Sequence, residues 1–230
     1  MELIEAVKTR HSVRDYLDKT IEAEAAEKLI RAAEECNRQS GLNIRLCLNQ
    51  SRAFDTILAL YGNLKSASNY FVLAAAPKTE NAEELCGYYG QKLVLLAQQL
   101  GLNTCWVGGS YSKRKTRADI GAGEKLHLII ALGYGKTQGK ERKTKPLSEL
   151  YRFKGEGEPP AWFLAAMAAA ALAPTAINQQ KFLFTLNGET VSADAFPGSY
   201  AKVDLGIVKY NFEVGAEAAG AISGTDWRWA

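Results

Sequence analysis

Two arginines with a serine between them, in the run RHSVR from Arg10 to Arg14, make a compact anion cradle. Each guanidinium offers a planar fork of donors suited to a phosphate or a polarised carbonyl, and Ser12 adds a hydroxyl. A surface helix end whose cations complement the helix dipole fits the same spacing. A second constellation lies far away in ALAPTAINQQKFLF, Ala171 to Phe184. It reads as a helix end, a turn of small polar groups and a strand start, a shape that sets backbone N–H groups and an amide side chain against a ligand. WVGG, Trp106 to Gly109, ends a strand in two glycines whose missing side chains let a backbone approach a flat ligand, although a plain turn fits it too.

The run GKTQGKERKTK crowds Lys136, Lys140, Arg142, Lys143 and Lys145 together. Such a run is a solvated loop or the holder of a single phosphate. The preceding GYGKTQG has G-x-G-x-x-x-G spacing with no amphipathic helix after it, so it is not a dinucleotide fingerprint. Neither a nucleophile elbow, a phosphate-binding Walker loop nor a zinc-protease motif is present, and His11 and His127 are the only histidines. Hydrolytic chemistry is unsupported, and any catalysis points to a cofactor.

The whole chain has 230 residues and a net charge of +3, too little for a dedicated nucleic-acid binder. Nearly half of it is apolar, enough for a full core without disulfides or metal. Cysteines 36, 47, 86 and 105 lack ligand spacing, which makes zinc improbable and reduced thiols in a cytoplasmic protein the expectation. The start, MELIEAVKTR, lacks the layout of a signal peptide. The longest apolar run, AWFLAAMAAAALA, has 13 residues before Pro174, short of the roughly 20 a membrane span needs.

The elements that must position these motifs follow from periodicity. Leu3, Ile4, Ala6 and Val7 suggest a short helix ending before Arg10, and Thr20 is a candidate N-cap for a second. NIRLCLN, YFVLAAAP, NTCWVGG and LHLIIALG read as strands, with a helix from Glu83 to Leu100 closed by Gly101. Gly133 to Pro160 is a polar connection that wraps a surface or serves a site. Pro160 can open an alanine-rich helix, Asn187-Gly188 signals a type I′ hairpin, and a last helix follows. The order helix, turn, strand occurs twice, with Ser40-Gly41-Leu42-Asn43 matching Thr175-Ala176-Ile177-Asn178 in character. These patterns predict an α+β fold, a mixed sheet among helices, divided into 1–152 and 153–230.

In combination, the motifs resemble the nitroreductase family. RHSVRDY is similar to its R-x-S-[VI]-R-x-[YF] opening, and LGLNTCWVGG and ALGYG to later segments. APTAINQQKFLF resembles its A-P-S-x-x-N-x-Q-P-W-x-F turn, with Lys181 in place of the proline. The resemblance implies FMN, and a site shared in the family between two subunits. Here the first-half counterpart of that turn is degraded to RQSGLN, and the intact version stands in the second half. The implied architecture is a single-chain pseudo-dimer of two unequal pseudo-repeats, similar to a single-chain branch of the family known from a hyperthermophilic bacterium.

Residue by residue, the resemblance implies that Arg10 and Ser12 hold the phosphate and ribityl end with Lys140 or Arg142, and His11 is carried with them. Arg14 would lie at the N1 and O2 edge, and the N–H of Gly108 or Gly109 would face N5. Thr175 and Asn178 would contact ring and ribityl, with Pro174 shaping the turn. The implied activity passes hydride from NADPH or NADH through FMN to a small acceptor such as a nitroaromatic or quinone. The alternative is a flavin-binding protein without turnover. Neither nucleic acid nor membrane is an expected partner.

Overall fold

The computed structural model describes the chain except residues 58, 60, 61, 63, 65 and 117–119. Helices α1 (Leu3–Thr9) and α2 (Ala23–Ser40) lead into strand β1 (Leu42–Cys47). Strand β2 (Asn69–Ala75) precedes the long helix α3 (Ala82–Gln99), and β3 (Asn103–Val107), a short α4 (Lys113–Thr116) and β4 (Lys125–Gly133) follow. The remainder is β5 (Tyr151–Phe153), α5 (Ala161–Ala171), β6 (Phe182–Asn187), β7 (Thr190–Ala195), α6 (Ala201–Ala218) and β8 (Arg228–Trp229).

The expected mixed sheet is two four-stranded sheets. The first runs β1-β2-β4-β3, and each of its pairs is antiparallel, with Phe71 opposite Ile130 and Cys105 opposite Ala131. Every residue of β2 is buried, which explains its unbroken apolar run: both faces of the strand are covered. The second runs β5-β6-β7-β8 and is mixed, since β5 lies parallel to β6 and β8 parallel to β7. The division after residue 152 falls inside β5, so the polar connection delivers a strand to the second sheet.

One core joins the two halves. Helices α3 and α6 cross through glycines: a Cβ on Gly87 would fall 2.0 Å from the Val203 carbonyl oxygen, and one on Gly206 1.9 Å from that of Glu84. Any larger residue there would force the helices apart. At the same crossing a buried polar relay ties four elements together. Trp106 Nε1 donates to Gln91 Oε1 at 3.3 Å, Gln91 Nε2 to Asn211 Oδ1 at 3.0 Å, and Asn211 Nδ2 to the Ala169 carbonyl at 3.1 Å. Behind the second sheet, Phe184 stacks on Phe212 at 4.8 Å between ring centres, with Trp227 and Trp229 around them. Each fully buried aromatic of this kind contributes about 1.5–3 kcal/mol by leaving water.

Three local expectations change. Helix α2 starts at Ala23 behind Glu22, without a side-chain cap, because burial of Ile21 keeps the chain extended past Thr20. The hairpin pairs Asn187 with Thr190, so its central residues are Gly188 (φ 58°) and Glu189, and glycine holds the first central place, as in type II′ rather than I′ turns. The proposed match of the two polar turns fails in register. Asn43 is a strand residue opposite Ala74, while Asn178 sits in a left-handed turn (φ 57°) between α5 and β6. By contrast Gly101, with φ 78°, does stand just past the end of α3. Among the described residues no helix is long and apolar enough to cross a membrane.

Candidate cofactor site

The RHSVR segment leaves α1 and is clamped between the edge of the first sheet and the loop after β4. Ser12 bridges Thr104 of β3, and the Val13 N–H donates to the Thr104 carbonyl at 3.0 Å. On the other side Lys136 N donates to the Asp15 carbonyl at 3.0 Å and Leu17 N to that of Tyr134 at 2.7 Å. Val13 is buried in the core, so the alternation of an extended chain turns its neighbours Ser12 and Arg14 the other way. The sequence thus folds as a short edge segment rather than a frayed helix end.

The turn from the second half meets it there. A cavity of about 1060 Å³ is lined by His11, Ser12 and Arg14 from the first motif and by Lys140 and Arg142 from the basic loop. Pro174, Thr175, Ile177 and Asn178 complete it from the distant turn. A volume at the upper end of ordinary ligand pockets suits a large ligand.

Loop and turn are zipped together. Arg142 Nη2 donates to the carbonyls of Ala171 at 3.2 Å, the last residue of α5, and Ala173 at 2.6 Å, just beyond it. Asn178 Nδ2 donates to the Lys143 carbonyl at 2.9 Å. Gln180 accepts from Lys145 N at 2.9 Å and donates to the Lys143 carbonyl at 3.1 Å, while its own N–H donates to Thr175 Oγ1 at 3.1 Å. The turn is strained: Ile177, Asn178 and Gln180 all have positive φ, and Ile177, β-branched at φ 46°, is 94% exposed.

Arg10 stands behind the cavity wall rather than on it. Its side chain is buried, and no ion pair holds it among the described residues. Burial, then the charge of Arg142, brings its guanidinium down to about 9. Burial also lowers Arg142, and burial followed by Arg10 lowers His11. Arg10 Nε, Arg142 Nε and Asn178 Oδ1 are buried without a hydrogen-bond partner among the described residues. Buried groups of that kind are costly unless a ligand supplies what the protein does not. The acid on the cavity wall, Asp15, is already engaged, by Lys136 at 3.0 Å and Ser66 Oγ at 2.9 Å. Two guanidinium donors and one amide acceptor are thus left without partners around the cavity.

The family model described as "Putative TM nitroreductase" matches residues 2–216. The chain belongs to this nitroreductase family. No curated protein matches its sequence. Among solved structures it is similar to a putative nitroreductase of Thermotoga maritima, at a TM-score of 0.67 and 21% identity over 95% of this chain and 85% of that one. A putative nitroreductase from Desulfovibrio desulfuricans, solved in complex with FMN, matches at 0.53 and 20% identity over 68% of this chain and 96% of that one. A putative NADH dehydrogenase/NAD(P)H nitroreductase of Parabacteroides distasonis matches at 0.53 and 20%, over 68% and 98%. At these identities the likeness is one of fold, and it agrees with the α+β architecture read from the sequence.

The remaining expected residues divide. Gly108 lines a smaller cavity of about 120 Å³ beside the large one, and Gly109 lines neither. Sequence reasoning gave no role to three further residues that support the cavity, although Gln180 stood at a matching place in the family's turn. Asp204 of α6, almost wholly buried, accepts from Ala176 N at 3.0 and 3.1 Å and from Gln179 Nε2 at 2.7 Å, fixing the turn from beneath. Desolvation raises its carboxyl to about 6 against those hydrogen bonds. A lone acid in the apolar run VDLGIV was its signal. Gln180 left only the resemblance as a signal, and Tyr200, whose hydroxyl donates to the Gly108 carbonyl at 2.5 Å, left none.

Proposed function

We propose that the chain is an FMN-dependent oxidoreductase that takes hydride equivalents from NADPH or NADH and passes them to a small acceptor such as a nitroaromatic or quinone. The observation that carries the reading is Arg10, a buried cation with neither an ion-pair partner nor a hydrogen-bond partner at Nε among the described residues, beside a large cavity. A phosphate supplies what such a group lacks. Arg142 Nε is orphaned at the same cavity, and Asn178 Oδ1 lacks a donor that a sugar-like hydroxyl would supply. The FMN complex of the Desulfovibrio relative supports the choice of a phosphate ester that carries such hydroxyls.

In this reading Arg142 and Lys140 hold the phosphate end, Arg10 supports it with its charge from behind the wall, and the Ser12 hydroxyl and His11 lie beside it. Arg14 brings positive charge to the ring edge, and Thr175, Asn178 and Pro174 close the site from the other half. Bound FMN supplies the hydride chemistry; the protein contributes position, charge and exclusion of water. The site belongs to one chain acting as its own pseudo-dimer. That is supported by the meeting of residues 11–14 with 174–178 in one cavity, and by relatives that fill their own length with 68% of this chain.

The test is anaerobic. Purified protein loaded with FMN is mixed with NADPH or NADH, and bleaching followed by recovery on adding a quinone is the expected result. Tyr200, set against Gly108, narrows access there and favours a second reading, a flavin-binding protein without turnover. Bound flavin that neither nucleotide bleaches would decide for that second reading.

A further inference from the structure

We infer that Gln91 is a positioning residue for the site: with Asn211 it fixes the indole of Trp106 and ties it to the helix that leads into the APTAIN turn. The inference rests on the proposed flavin reading and deepens it. Gln91 itself lines neither cavity.

Trp106 is half-buried and forms part of the wall beside Gly108. Helix α3 holds its ring at two points. The Gln91 side-chain oxygen accepts from Nε1 at 3.3 Å, and the far edge of the ring lies on Gly90, where a Cβ would fall 2.4 Å from Cη2. Apolar contact with Gly90 has no preferred direction, whereas a hydrogen bond does, so Gln91 sets the orientation of the ring.

The relay that starts there runs one way. An indole N–H can only donate and the Ala169 carbonyl can only accept, so the amides of Gln91 and Asn211 between them each have a single orientation. Both residues are 0% exposed. Apolar side chains of similar size would fill the helix crossing without the cost of desolvating two amides. A polar chain satisfied at each step instead holds the core in one arrangement. That arrangement is the site's own. One end of the relay is the Trp106 wall, and the other is α5, two residues before its last residue Ala171, from which the chain runs on to Pro174 and Thr175. Helices α5 and α6 touch beside the last bond: a Cβ on Gly215, one turn beyond Asn211, would fall 2.6 Å from that of Ala169. The relay therefore joins the walls that the two halves contribute.

The test compares the full chain with Gln91→Met, Gln91→Glu and Asn211→Leu. FMN affinity is read by fluorescence titration. Solvent exchange of the Trp106 indole N–H, identified by its loss in Trp106→Phe, is read by NMR on the ligand-free protein. Gln91→Met keeps the length and removes the bond, so that N–H should exchange faster and FMN affinity should fall about fivefold or more, roughly the worth of one hydrogen bond. Asn211→Leu, which cuts the tie to α5, should weaken FMN as well. Gln91→Glu is the rescue: burial keeps its new carboxyl protonated, able to accept from Trp106 and donate to Asn211 as the amide does. Its FMN affinity, taken as a ratio to the wild type at each pH, should be near one at pH 5 and fall toward pH 9 as the carboxyl ionises. Affinity unchanged in Gln91→Met would overturn the inference, as would a Gln91→Glu ratio that stays constant with pH. Should Gln91→Met not fold, Gln91→Glu decides alone. Absence of FMN binding in the wild type would instead overturn the flavin reading. The indole exchange of Gln91→Glu, changing with pH or not, would then decide whether Gln91 positions Trp106.

Discussion

Arg142, on the loop after β4, donates through Nη2 to the Ala173 carbonyl at 2.6 Å, immediately before Pro174. One contact thus joins the basic loop of the first half to the turn of the second, and it spends only part of the guanidinium, because Nε has no partner among the described residues. Arg142 is both a brace and a donor in reserve. Arg10, behind the same wall, is held by no ion pair among the described residues.

That difference makes Arg10 the sharper probe. Arg10→Met removes a buried cation that burial already disfavours. Without ligand the variant should gain about 1–3 kcal/mol of stability in denaturant unfolding, the cost of an unsatisfied buried group. Its FMN affinity, from fluorescence titration, should fall roughly ten- to hundredfold, the worth of hydrogen bonds to a charged group. A variant that loses stability without ligand would mean Arg10 is held by the fold.

Gln180 tests the zipper between loop and turn. Buried, it bonds both Lys143 and Lys145. Gln180→Ala should cost about 1–3 kcal/mol in urea unfolding by leaving those backbone groups unpaired, and it should weaken FMN binding as well. Destabilisation with intact affinity would show that the zipper does not position the site.

Asp204 gives a pH dependence with a definite sign. Its folded carboxyl is raised from 3.8 to about 6 by desolvation. Between these values the native state binds the proton that the unfolded state has released, so stability falls as pH rises from about 4 to 6. A shift near two pH units corresponds to about 3 kcal/mol at most. Guanidinium unfolding of the wild type and Asp204→Asn across pH 4–7 should show the wild type losing ground to the variant as pH rises. Parallel profiles would remove Asp204 as the cause.

Ile177 reports on strain. At φ 46° and almost fully exposed, it occupies a conformation costly to a β-branched side chain. Ile177→Asn, which tolerates that conformation, should stabilise the ligand-free protein by about 1 kcal/mol in thermal unfolding. FMN binding should weaken, because an apolar cover over the cavity mouth is lost. Equal or tighter FMN binding would show that the strained isoleucine serves no ligand.

The parts of this structure legible in sequence were those written in short runs. RHSVR and APTAIN carry residue types whose chemistry shows at close spacing, and β2 and α5 announce themselves by unbroken apolar residues. What escaped was long-range. Nothing local to Tyr200 points to Gly108, 92 positions away, and Gly87 and Gly206 reveal the helix crossing only when placed side by side. The hairpin register also escaped, because Asn187 gives the same signal whether it ends a strand or opens a turn. Two separate sheets could not be told from one, since strand pairing is set by packing that the alternation of single strands does not encode.

The central claim is that one chain assembles one flavin site from its two ends. Titration of the purified protein with FMN, its mass in solution read at each point by light scattering, tests it most directly. One FMN bound per chain, with the mass of a single chain sufficient for binding, is the predicted result. Two equivalent sites per chain, or binding that appears only as chains pair, would contradict it.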